Sequence, residues 1–125
     1  MMRELPKELT AELLSLVFSR ETTNIEFYEE NSAKVITYRA ISYFDGFRQG
    51  FFISADSLTR QMKEWCGGLG YDVLTCVLSN NKSWCQLVEM KTDTFKGISQ
   101  YFHSKTEFEA VLKATHWVAK TKGLI

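Results

Sequence analysis

The sequence predicts an α+β fold in the order α-βββ-α-βββ-α, an antiparallel sheet with helices packed on it. Three observations predict it. Apolar residues recur at helical spacing near the start, in the middle and at the end of the chain. Between those stretches they alternate at strand spacing. Short turn signals, Asn31-Ser32, Asp45-Gly46 and Asn80-Asn81, break the alternating runs. With 125 residues, 45% of them hydrophobic, a single domain over 1–125 with a sizeable core is expected.

The first helix is expected over 5–19, where Leu5, Leu9, Leu13, Leu16 and Val17 share a stripe and Pro6 fits the first turn. A strand around Ile25 and Phe27 follows. Taking Asn31-Ser32 as a two-residue hairpin loop sets Phe27 opposite Ile36, Ile25 opposite Tyr38 and Glu29 opposite Lys34. The aromatic stretch 38–52, YRAISYFDGFRQGFF, is centred on Asp45-Gly46, a strong hairpin signal. With that loop, Phe44 opposes Phe47, Tyr43 opposes Arg48, Ala40 opposes Phe51, Arg39 opposes Phe52 and Tyr38 opposes Ile53.

Because strand side chains alternate, Ile25, Phe27, Ile36, Tyr38, Ala40, Phe44, Phe47, Phe51 and Ile53 share a core face. The other face carries Glu26, Tyr28, Thr37, Arg39, Ile41, Tyr43, Arg48 and Phe52. A second helix is expected over 56–66, with Leu58, Met62 and Trp65 or Cys66 in register and Gly67-Gly68 as its stop. Strands at 71–79, 84–90 and 95–102 follow. An Asn80-Asn81 loop would set Cys76 opposite Cys85. The closing helix opens on a capping box, Ser104 to Glu107, and carries Phe108, Val111, Leu112, Thr115 and Val118.

A shift of about 49 residues maps Leu9 to Leu58, Leu13 to Met62, Ile25 to Leu74, Ile36 to Cys85, Tyr38 to Leu87 and Ile53 to Phe102. This suggests an internal repeat of a helix and three strands. The element order resembles the type III secretion chaperone-like fold, whose members are small, cytosolic, dimeric partner-binding proteins. The chain departs from their usual acidity, since its 15 Lys and Arg balance 15 Asp and Glu. The segment SKTEFEAVLKATHWVAK, 104–120, is similar to the closing helix of small phage-encoded accessory proteins, which implies a mobile-element accessory factor. Neither resemblance implies a catalytic residue.

Zero net charge argues against bulk capture of nucleic acid or of an anionic membrane. Three cysteines without a C-x-x-C pair read as reduced thiols, and no apolar run is long enough to span a bilayer. MMRELPKELT lacks a signal pattern, so a cytoplasmic location is expected. His103 and His116 lie too far apart to suggest a metal site, and no cofactor motif is present: "CGGLG" at 66–70 follows a helix and lacks the Lys-Ser/Thr of a phosphate loop. The carboxylates Glu21, Glu26, Glu29 and Glu30 read as a solvated face.

Two surfaces stand out. Arg39, Tyr43, Arg48 and Phe52 place arginine beside aromatic rings, a composition suited to a partner protein or to stacked bases, and equally to ordinary cross-strand pairing. The second hairpin is apolar on both faces, and the last helix adds Ala110, Ala114 and Trp117 to its core stripe. Trp84, Val88, Ala114 and Trp117 are therefore the expected self-association residues of a homodimer. The expected function is non-catalytic: a cytosolic accessory protein that binds a partner protein as an inhibitor, immunity or chaperone-like factor. The alternatives are a nucleic-acid-binding module using the Arg/Tyr face and a small cysteine-dependent enzyme.

Overall fold

Asp45 and Gly46 both take positive φ, 49° and 79°, the backbone of a type I′ turn. That turn joins β2 (Ile36–Phe44) to β3 (Phe47–Ser54) in the register the sequence predicts, with Phe44 opposite Phe47, Arg39 opposite Phe52 and Tyr38 opposite Ile53. The computed structural model describes residues 5–19, 22–29, 36–78, 82–90 and 99–125, and within these the side chains of 27–29, 43, 44 and 99 are not described. The remaining elements are α1 (Ala11–Phe18), β1 (Thr22–Glu29), α2 (Ala55–Gly68), β4 (Tyr71–Leu78), β5 (Lys82–Glu89), β6 (Ser99–Ser104) and α3 (Glu107–Thr121). The protein is α+β in the predicted order, but with two antiparallel three-stranded sheets, β1-β2-β3 and β4-β5-β6, in place of one.

The chain divides into two compact units, residues 1–58 with 125, and residues 59–124. In the first, α1 begins later than predicted. Thr10 caps it, its hydroxyl accepting from the Leu13 N–H at 3.2 Å, while Leu9 closes a turn back to the Pro6 carbonyl. The apolar spacing of Leu5 and Leu9 is thus met by a turn that runs into the helix. Leu9, Leu13 and Leu14 are buried. The Ser15 hydroxyl accepts from the Thr22 N–H at 2.8 Å, tying α1 to β1.

β1 and β2 pair two residues away from the predicted register: Ile25 faces Ala40, Phe27 faces Tyr38 and Glu29 faces Ile36. Six residues, 30–35, therefore separate the paired ends, and Asn31-Ser32 lies outside the described residues. A slip of two keeps every side chain on its own face. Ile25, Tyr38, Ala40 and Ile53 are accordingly buried, and half-buried Phe51 meets Phe18 of α1 edge-on at 5.6 Å. Ile36 is half-buried, and Phe47 beside the turn is 72% exposed, so it does not join the core.

The Ser54 hydroxyl accepts from the Ser57 N–H at 3.1 Å where α2 begins. Leu58, Met62 and Cys66, four apart, are fully buried. Gly67 and Gly68 continue the last turn of α2, and the chain leaves it through Gly70 at φ 91°. In the second unit β4 and β5 pair one residue off the predicted register. Thr75 faces Cys85 and Cys76 faces Trp84, with three residues, 79–81, between Leu78 and Lys82. A slip of one moves β5 to the opposite face relative to β4. Cys76 and Cys85 therefore point to opposite sides of the sheet, and the predicted cysteine pair does not form.

The observed register puts Tyr71, Cys85 and Leu87 together on the buried side. Trp117 of α3 meets that side, edge-on to Tyr71 at 6.0 Å and tilted over Phe102 at 6.4 Å. The N-cap of α3 is Thr106, not Ser104: its hydroxyl accepts from the Glu109 N–H at 3.2 Å, and the Ser104 hydroxyl donates to the Glu109 carboxylate at 2.7 Å. Gly123 at φ 69° and the Leu124-to-Ala119 bond close α3 as a Schellman motif. The 49-residue shift carries Tyr38 to Leu87 on buried faces but buried Ile25 to exposed Leu74, so the correspondence does not run through β4.

Candidate functional site

The side of the first sheet that turns away from Tyr38 and Ala40 is fixed by the β2–β3 register. Because Arg39 pairs with Phe52 and Tyr43 with Arg48, the four expected partner-binding positions share that one face. Arg48 is exposed and Phe52 is 65% exposed. Tyr43 has its backbone in this register, and its side chain lies outside the described atoms.

Arg39 has an ionic neighbour on one side and room on the other. Across β1, Glu26 sits opposite it in the ladder and the two ion-pair at 3.5 Å. Across β3, Gly50 carries no side chain, and the Arg39 guanidinium lies 3.4 Å from where its Cβ would stand. The end of Ile41 reaches the same spot at 3.5 Å. This explains a feature the sequence reading missed: Ile41 belongs to the outward face, yet it is only 5% exposed. The apolar stem of arginine can cover a neighbouring side chain while its head stays wet. The pair's side chains are 47% and 40% exposed, so the ion pair orients Arg39 more than it stabilises the fold.

The expected self-association residues separate. Ala114 is fully buried and Val88 nearly so, while the half-buried Trp117 ring packs on Tyr71 and Phe102. Ala110 and Ala114 are thus enclosed within the second unit, which corrects the surface role expected of Ala114, whereas Trp117 keeps part of its ring exposed. Trp84 borders an open surface of the second sheet. It is half-buried, 6.1 Å from the Tyr101 ring, on the side of the second sheet where Leu74, Leu78 and Tyr101 are exposed.

Two cysteines are placed unfavourably for thiolate chemistry. Burial pushes the Cys66 thiol up to about 11, against a smaller opposing pull from the Thr115 hydroxyl 3.7 Å away. Burial pushes Cys85 up to about 12, reinforced by nearby Cys66. A nucleophilic cysteine needs the reverse, a depressed pKa and access. Among the described residues no three His, Cys, Asp or Glu side chains gather as metal ligands, and no helix is long and apolar enough to cross a membrane. No protein-family model and no curated protein matches the chain, so its functional reading rests on this geometry.

Proposed function

We propose that this chain is a non-catalytic binding protein whose partner is another protein, engaged through the outward face of β1–β3. One observation carries the reading: a register fixed by the Asp45-Gly46 turn sets Arg48 and Phe52 exposed on one face, beside an Arg39 held by Glu26 over Gly50. Arginine and aromatic side chains are the usual anchors of protein interfaces. Arg39, oriented by Glu26, offers its remaining N–H groups to a partner acceptor at less cost in freedom. The partner surface that fits offers a carboxylate to Arg48 and an apolar group to Phe52. Zero net charge favours such a protein surface over nucleic acid. The raised thiols of Cys66 and Cys85 support a role in which neither of these two acts as a nucleophile.

The experiment uses Arg48→Ala with Phe52→Ala, both exposed, and reads thermal melting and partner capture from host lysate on the same protein. A melt within a few degrees of wild type with capture reduced tenfold or more supports the reading. Unchanged capture sinks it, and capture abolished by nuclease treatment would assign the face to nucleic acid instead.

A further inference from the structure

At one end of the second sheet, β4 finishes, β5 starts, β6 finishes and α3 begins. There Leu78, Lys82, Trp84, His103, Lys105 and Lys113 line a groove of about 630 Å³, within the usual range for small-ligand sites. Three features of its wall point to the same kind of ligand. The first is charge. Three lysines line it in a chain whose net charge is zero. Lys113 is fixed against the wall, its Nζ donating to the His103 carbonyl at 3.0 Å, which leaves two further N–H donors on that group. Lys82 and Lys105 are exposed and have no ion-pair partner among the described residues.

The second feature is the state of Glu109, the one carboxylate in the wall. It accepts the Ser104 hydroxyl at 2.7 Å. Three cations against one carboxylate leave the groove two charges positive. The third is a flat apolar surface: Trp84 lines the groove, half-buried, with His103 directly opposite it in the β5–β6 ladder.

We infer that this groove binds a small phosphorylated ligand with a planar ring, a ligand of the nucleotide class. The lysines take the phosphates as point charges and the Trp84 indole takes the ring. A long polyanion fits less well, because a chain of zero net charge lacks the basic field that captures one. This inference does not rest on the partner-binding face, which belongs to the other unit.

ATP and inorganic pyrophosphate are titrated calorimetrically at low salt against the wild-type chain and three variants. Wild type is expected to bind one ATP. Lys82→Ala with Lys105→Ala is expected to weaken ATP at least tenfold with an unchanged melt, since both side chains are exposed. Trp84→Leu is expected to weaken ATP by a similar factor and to leave pyrophosphate unchanged. Arg48→Ala with Phe52→Ala should leave ATP affinity at the wild-type value, which separates this site from the partner-binding face. If the Trp84 variant melts early, the lysine pair alone decides. No heat with millimolar ATP, equal ATP affinity in the lysine variant, or tighter binding of oligo(dT) or of a Glu-rich peptide would each overturn the inference.

Discussion

Lys63 on α2 reaches Glu107 at the start of α3, its Nζ 2.9 Å from a carboxylate oxygen, and also donates to the Thr75 hydroxyl at 3.2 Å. About a third of each charged side chain is exposed, so solvent screens the pair. A double-mutant cycle with Lys63→Met and Glu107→Gln should give a coupling of about 0.5 kcal/mol, falling toward zero in molar salt. A coupling several times larger would mean that the pair is effectively shielded from water.

The Ser42 hydroxyl is fully buried with no hydrogen-bond partner among the described residues. Leaving such a group unpaired costs free energy that an apolar replacement avoids. Ser42→Ala is expected to hold or raise stability, by up to about 1 kcal/mol in urea unfolding, less whatever the lost oxygen leaves as a void. A clear loss of stability would show that the hydroxyl has a partner in solution.

Gly46 meets nothing within 4 Å where a Cβ would stand, so its substitution tests backbone conformation alone. At φ 79°, Gly46→Ala should destabilise the chain by about 1 kcal/mol, and a β-branched residue by more. Asp45→Asn should be nearly neutral, since asparagine tolerates the same region. Unfolding midpoints of the three variants check this ordering.

Cys66 and Cys85 should resist iodoacetamide at neutral pH in the folded chain and react after denaturation, as peptide mapping by mass spectrometry would show. The same burial gives an alkaline limb to stability. A buried thiol prefers its neutral form, so nothing is lost while the unfolded thiol is protonated too. Above the unfolded value of 9.0 the unfolded chain releases protons that the folded chain keeps, and stability falls until pH passes about 11 for Cys66 and about 12 for Cys85. Replacing both by alanine should flatten that limb, although Tyr71, whose pKa burial also raises, keeps part of it.

How far the sequence could be read depended on how tightly each turn restricts the backbone. Asp-Gly demands positive φ at both positions, and the β2–β3 register follows from it. Asn31-Ser32 and Asn80-Asn81 make no such demand, and there burial decided the register instead. Between β1 and β2 the difference of two residues left the faces intact, so the outward positions Arg39, Arg48 and Phe52 were legible. Between β4 and β5 the difference of one carried Cys85 and Leu87 under α3 and separated Cys76 from Cys85. The alternation of an all-apolar hairpin offers no polar side to reveal which register is right. Thr106 was missed as a cap because Ser104 and Glu107 have the same spacing as Thr106 and Glu109.

Gly50 works by what it lacks. An alanine there would just touch the Arg39 guanidinium, and any longer side chain would have to displace it and uncover Ile41. The identity at 50 therefore sets where the Arg39 guanidinium can rest: glycine or alanine leaves it in place, and a bulkier residue turns the head out toward solvent.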